Sequence, residues 1–237
     1  MREAAQAAYP NEACGLIVGI GKKAQFIACK NIAQEPHNTF RIDASDYARA
    51  EDAGEVLAIW HSHVNEPPTP SDADRAGCEA SELPWLISSV SKQGEQFIHS
   101  GPRKIEPSGF QAPYLERPYV FGIFDCFSLV VDYYEREFGI KLDRFLECRQ
   151  EGWWRKGHDF LGENYASQGF VEVTDDTWEQ GDLLFFAVDS EVPNHVAIYV
   201  TGDIILHHVI NRLSRRDTCG PFWGQHITHH LRHQSKC

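Results

Sequence analysis

The chain has 237 residues, 42% of them hydrophobic and six of them tryptophan, which is apolar material for one large core or two small ones. A formal charge of −12 and the lack of a long Lys/Arg cluster exclude electrostatic capture of DNA, RNA or an anionic membrane surface, so no nucleic acid is expected as a partner. The seven cysteines, at 14, 29, 78, 126, 148, 219 and 237, are odd in number, widely spaced and free of any C-x-x-C pair, as in thiols made in a reducing cytoplasm.

A short helix is expected over Glu3 to Ala8. The apolar run Cys14 to Ile20 is short and broken by glycine, so it predicts a strand, not a signal peptide or a membrane anchor. A second strand at "AQFIAC", a helix at "DASDYARAEDAG", a strand at "EVLAIWHSH" and a helix starting near Ser71 complete a small mixed α/β domain. Prolines at 102, 107, 113 and 118 mark a stretch without apolar periodicity, which predicts a connector and a boundary near residue 110, with domains 1–109 and 110–237. Beyond it, Phe127, Val130, Val131, Tyr134 and Phe138 recur at helical spacing and predict a helix over Cys126 to Phe138. A loop-rich "EGWWRKGHDFLGENY" and three strands, "DLLFFAV", "HVAIYV" and "DIILHHV", make the second half an α+β unit.

In the strand "EVLAIWHSH", side chains alternate faces, so His61 and His63 project to one side and can hold one ion between them. A catalytic zinc needs a third protein ligand, and Asp74 is the nearest candidate. The prolines of "VNEPPTP" stiffen the loop that returns Asp74 to the histidines, and Ser71 starts its helix. A capping box alone would account for Ser71 and Asp74. A zinc-bound water would still need a carboxylate to take its proton.

His61, Ser62, His63, the seven residues Val64 to Pro70, then Ser71 and Asp74 reproduce H-x-H-x7-S-x-x-D. In this the chain resembles the JAMM (Mov34/MPN/PAD-1) metallopeptidases, and Glu12 in "PNEACGLIVG" matches that family's upstream glutamate. The resemblance implies a JAMM-type αβ sandwich in which His61, His63 and Asp74 hold Zn2+, Glu12 is the general acid/base and Ser71 helps stabilise the oxyanion. Val64 departs from the family, which usually has proline there.

Cys126 falls in the first turn of its helix, where unpaired N–H groups and the dipole favour a thiolate. The segment "NHVAIYVTGDIILHH" reads as a hairpin turning at "TGD". A three-residue loop centred on Thr201 sets His195 opposite His207, whereas a two-residue loop brings His208 onto that face, and patterning alone does not choose.

"FDCFSLV", "NHVAIYV" and a histidine twelve residues after the first resemble the NlpC/P60 cysteine peptidases, from about residue 117 to the end. The resemblance implies a papain-like α+β domain that cuts peptidoglycan stem peptides, with Cys126 as nucleophile, His195 as base and His207, opposite it, as the orienting residue. Tyr119 matches a position near the oxyanion.

A JAMM domain followed directly by an NlpC/P60 domain resembles the tail tip assembly proteins of lambda-like tailed bacteriophages, with "ELPWLI", "EGWWRKG", "VPNHVAIY" and "ILHHVINRLSRRD" as local stretches. This implies a hydrolase made in the host bacterial cytoplasm, with peptidoglycan peptide and other tail tip proteins as partners and no membrane insertion. The cysteine domain would cut at a γ-D-glutamyl-diaminopimelate bond and the metal domain an unknown (iso)peptide. The alternative is a structural assembly factor with vestigial sites.

Three other signals carry less. His226, His229, His230 and His233 stand at i, i+3, i+4 and i+7, one face of a helix, without an acidic ligand, and read as a solvated end. Trp153 and Trp154 could stack on sugars but more simply fill a core. Gly15, Gly19 and Gly21 lack the order of a phosphate loop.

Overall fold

Alternating burial draws the apolar runs of the first half into one sheet: β1 (Cys14–Ile20), β2 (Lys23–Cys29), β3 (Glu55–Val64), β4 (Trp85–Gln93) and β5 (Gln96–Ile105), in the order β2-β1-β3-β4-β5. The structure, a computed structural model, describes residues 1–145, 149–175 and 177–236. They divide into two units, Met1–Ala112 and Pro113–Cys237. In the first, helices α1 (Arg2–Ala8), α2 (Ala44–Ala53) and α3 (Asp72–Ser81) flank the sheet. All strand neighbours are antiparallel except β3 and β4, and that parallel pair requires the crossover that α3 supplies. Leu16, Val18, Ile59 and Trp85 pack with Ala50 of α2 and Cys78 of α3. Trp60 and Val90, on the opposite face, pack with Ala5 of α1.

His61 and His63 share the face of Ile59 by strand parity, and so end β3 on the side that carries α3. The approach of α3 depends on Gly77, where a Cβ would come within 2.5 Å of the Trp85 ring. Strands β4 and β5 were not expected from the sequence, and Pro102 corrects the connector: it lies inside β5. There Gly101 and Pro102 together oppose Ser88 in a bulge on an edge strand, the setting that tolerates a missing N–H.

The second unit contains α4 (Cys126–Phe138), α5 (Phe160–Asn164), β6 (Phe170–Glu172), β7 (Leu183–Phe186), β8 (His195–Thr201), β9 (Ile204–His207), β10 (Arg215–Thr218), α6 (Pro221–Gly224) and β11 (Ile227–His233). Its antiparallel sheet has the order β10-β9-β8-β7-β11-β6. Leu129, Val130 and Val131 of α4 join Phe185, Val196, Ile198 and Leu206 in one core. Leu184, Phe186, Ala197 and Ile205, on the other face, pack with Trp223 and Ile227. A helix packed on an antiparallel sheet is the α+β unit that the sequence predicts. Trp153 is buried in the α4 core and Trp154 packs against it, and both also line the cavity that holds Cys126.

The histidine-rich end is a strand, not a helix. Leu231 is buried between β7 and β6, and His230 Nε2 lies 2.8 Å from Asp182 Oδ2, which Arg232 also binds at 2.8 Å. An acid therefore accompanies these histidines after all, brought in by β7 pairing from 48 residues away. Cys14, Cys29, Cys78, Cys126 and Cys219 are free thiols; Cys148 and Cys237 lie outside the described residues. Among the described residues no helix is long and apolar enough to cross a membrane.

Candidate active sites

At the end of β3, His61, His63 and Asp74 present ligand atoms that all lie within 4.8 Å of one another. Asp74 is delivered by the cap of α3: the Ser71 hydroxyl accepts the Asp74 N–H at 3.1 Å, while Ser71 N–H and Oγ–H donate to Asp74 Oδ2 at 2.7 and 2.8 Å. That reciprocal capping box is worth about 1 kcal/mol to the helix start, and here it also aims the carboxylate. His63 Nδ1 meets the Pro67 carbonyl at 2.9 Å, so its Nδ1–H donates there; Nε2, 3.2 Å from Asp74 Oδ2, donates to that carboxylate while the ring is protonated and is the nitrogen freed for an ion when the ring is neutral. The proline loop thus fixes a tautomer as well as a path.

The three groups fit a zinc ion. His61 is fully buried with its Nε2 3.1 Å from Asp74 Oδ1, yet neither of its ring nitrogens has a hydrogen-bond partner among the described residues. Buried polar atoms without partners are costly, and one nitrogen from each imidazole, converging with a carboxylate, would supply the three protein ligands of a catalytic site once the His63 Nε2 proton is displaced. Phe40 stacks on the His61 ring at 4.5 Å and Trp85 meets it edge-on at 5.5 Å, which holds its orientation. Burial would raise the Asp74 carboxyl, but its interactions with His61, His63 and the Ser71 N–H outweigh that and keep it ionised. Burial likewise would lower His63, and Asp74, the Pro67 carbonyl and Glu12 lift it instead to about 9.

Glu12 is buried, and desolvation pushes its carboxyl up to about 8 against the opposing pull of His63. The structure therefore gathers every residue expected at the first site within one electrostatic neighbourhood. The Ser71 hydroxyl is committed to Asp74, so its expected part in stabilising an oxyanion rests on the family resemblance alone.

In the second unit, Asp125 is the N-cap of α4, forming a capping box with Ser128 and accepting the Gly122 N–H at 2.7 Å. Buried Arg149 grips both carboxylate oxygens of Asp125, at 3.0 and 2.9 Å, and lies over the rings of Phe121 and Phe127 at 4.8 and 5.2 Å. This frame fixes the helix turn that carries Cys126. The sequence leads one to expect a thiolate there, whereas burial in this structure favours the neutral thiol. Burial, with Asp125 adding to it, pushes the Cys126 thiol up to about 12, and neither Arg149 nor the Val196 and Phe127 N–H groups compensate.

His195 opens β8 and His207 closes β9, with His195 Nε2 3.1 Å from His207 Nδ1. The expected pairing is corrected too. Ala197, not His195, is opposite His207, and the ladder shifts between Tyr199 and Thr201, where Val200 is the extra residue. Continued without the bulge, the Thr201↔Ile204 register would place His207 opposite Ile198, on the α4 face. The bulge restores His207 to the face of Ala197 and His195, and the two rings meet diagonally at 5.3 Å. Trp223 covers both, at 5.3 and 4.9 Å. Burial holds His195 well below its ordinary pKa and His207 down at about 4, the latter despite Asp217. Thiol and imidazoles are therefore all neutral at rest.

Cys126, His195, Tyr119, Asn194, His208 and Arg212 line one cavity of about 530 Å³. Tyr119 meets His208 edge-on at 5.4 Å, and burial, with Asp125 and Cys126 nearby, raises its hydroxyl so that it stays a donor. Asn194 pins the approach to His195 by exchanging two hydrogen bonds with Val188, at 3.1 and 2.8 Å. Sequence reading missed Arg149, Trp223 and Asp217, which non-local packing brings in. Asp125 was findable, since "DCFS" is a capping box immediately around the cysteine.

Residues 1–99 match the family model for prokaryotic homologs of the JAB domain, and residues 116–232 match the NlpC/P60 family. Tail tip assembly protein K of Escherichia phage N15 is 35% identical over 223 residues, covering 93% of this chain and 87% of that protein. Its counterpart in Escherichia phage lambda is 34% identical over 193 residues, covering 80% of this chain and 88% of that one. Among solved structures, the NlpC/p60 domain of peptidoglycan hydrolase SagA aligns with TM-score 0.34 and 20% identity over 50% of this chain and 89% of that chain. The two domain matches in this order, with 35% identity along nearly the whole length, establish that the chain belongs to the family of tail tip assembly protein K, a JAB-type domain followed by an NlpC/P60 domain.

Proposed function

We propose that the chain is a tail tip assembly protein with peptidase activity, whose second domain cuts peptidoglycan stem peptides at a γ-D-glutamyl-diaminopimelate bond. The observation that carries this is that His195 lines one cavity with Cys126 while its ring is held from behind by His207 at 3.1 Å. With Nε2 of His195 engaged, its Nδ1 is the nitrogen left to serve the thiol. Because thiol and imidazole are both neutral at rest, attack is base-assisted: the thiol proton passes to His195 as sulfur bonds to the carbonyl carbon. His195 then gives that proton to the departing amine as the C–N bond breaks. Water, giving a proton to the same imidazole, attacks the thioester carbonyl, and as the C–S bond breaks His195 returns that proton to the sulfur. Tyr119 and the first-turn N–H groups of α4 are the donors for the oxyanion.

The first domain is proposed as a zinc metallopeptidase acting on an (iso)peptide, with His61, His63 and Asp74 as ligands. Bound there, zinc would acidify a water and polarise a scissile carbonyl. Glu12 would move the proton from that water to the leaving amine, and Ser71 would keep Asp74 aimed. The partners proposed are other tail tip proteins and the cell-wall peptide, met after synthesis in the host cytoplasm.

The test is release of soluble fragments from purified peptidoglycan by the full chain. Wild type should release them with or without a chelator, and Cys126→Ala should release none. Cleavage that survives Cys126→Ala and stops with chelation would assign wall hydrolysis to the other domain.

A further inference from the structure

Asp217 belongs to β10, the edge strand beside β9, and lies on the same sheet face as His207, because Ile205 is opposite Asp217 and stands two residues before His207. Its Oδ2 is 3.7 Å from His207 Nε2. That nitrogen is fully buried and has no hydrogen-bond partner among the described residues. Arg215, directly opposite His207, binds Asp217 Oδ2 at 2.7 Å, and the Thr218 N–H reaches Oδ1 at 3.2 Å. The carboxylate is therefore held in place and partly neutralised at the far end of the histidine pair.

We propose that Asp217 is a positioning residue that sets the tautomers of His207 and His195, an inference that rests on the catalytic reading of this site. A carboxylate accepts and does not donate, so it selects the His207 form with hydrogen on Nε2. Nδ1 of His207 is then a lone pair and accepts the Nε2–H of His195. That leaves the lone pair of His195 on Nδ1, the nitrogen a base needs toward the thiol. With the opposite tautomers, His195 would carry hydrogen on Nδ1 and could not take a proton there. Arg215 offsets the carboxylate's charge, so the relay is oriented without drawing a positive charge onto a buried imidazole. At 3.7 Å the pair is beyond hydrogen-bond range, and the proposal requires the gap to shorten to about 3 Å when substrate binds.

The experiment is a long-range proton–nitrogen correlation spectrum of the full chain labelled with nitrogen-15 in histidine, at neutral pH. Native protein should show His207 protonated on Nε2. Asp217→Asn, whose amide can donate, should move that hydrogen to Nδ1, and Arg215→Gln should leave the native pattern. A native spectrum with hydrogen on Nδ1, or one unchanged in Asp217→Asn, overturns the proposal. In the peptidoglycan assay, Asp217→Asn should lower kcat about tenfold or more with KM unchanged, and Asp217→Glu should recover part of it. A raised KM with kcat intact would also overturn it. If wild type cleaves nothing, the catalytic reading fails, while the spectra still decide what Asp217 does to His207.

Discussion

His207 stands opposite Ala197 across the β8–β9 hairpin, and its Nδ1 still meets His195 Nε2 at 3.1 Å because Val200 bulges from the ladder. The proposed catalytic pair is diagonal, which leaves it sensitive to its supports. His195→Ala should abolish peptide release by removing the base. His207→Ala should lower the initial rate by about 10- to 100-fold, the usual cost of losing an orienting partner. Equal losses in the two variants would make His207 a direct participant.

Burial dominates the resting thiol. With Cys126 pushed up to about 12, the folded state keeps its proton where an ordinary cysteine, near pKa 8.5, would begin to lose it. Any stability that this shift contributes is present below that ordinary value and is lost as pH rises toward 12. Alkylation of Cys126 by iodoacetamide at pH 7, followed by peptide mass spectrometry, should be about a hundredfold or more slower than alkylation of a free cysteine. It should accelerate with each pH unit through pH 10. A plateau below pH 8 would reveal a preformed thiolate.

Local pattern made most of this architecture readable. β1, β3 and α4 appear where alternation and helical spacing place them, and the spacing from His61 to Asp74 pointed to a His61, His63 and Asp74 cluster that does form, because one short loop and one helix cap carry it. Reading failed where the cause was distant. β5 hides its period behind the Gly101–Pro102 bulge. β11 mimics helical spacing because its three histidines, with His226 just before it, answer to Asp182, Ser235 and other neighbours rather than to one face. The thiol's pKa depends on how much chain buries it, and the hairpin register depends on one bulged residue, neither of which spacing encodes. Arg149 reaches Asp125 across 24 residues, and no motif joins them.

Purified protein should hold about one zinc per chain, measured by elemental mass spectrometry, and the His61→Ala/His63→Ala double variant should hold none. Gly77→Ala should weaken retention without touching a ligand. Its Cβ would press on Trp85 and lift α3, costing about 1–3 kcal/mol. Full zinc in the double variant would place the metal elsewhere.

The division between the domains is proposed to lie after β5. Glu79 Oε1 ties the following segment down by accepting from the N–H groups of Ser108 and Phe110 at 2.6 and 3.0 Å and from Ser108 Oγ at 3.1 Å. Limited proteolysis should cut between Glu106 and Arg117, and Glu79→Ala should speed that cut. Cleavage confined to the interior of either unit would mean that the two halves do not fold separately.

The central claim is that Cys126 attacks a wall peptide with His195 as its proton carrier. Mass spectrometry of muropeptides after digestion of purified peptidoglycan tests it most directly, with wild type, Cys126→Ala and His61→Ala run in parallel. Wild type and His61→Ala should yield the same new amino terminus on diaminopimelate, and Cys126→Ala should leave the stems intact. Intact stems with wild type, or the same cleavage with Cys126→Ala, would contradict the account.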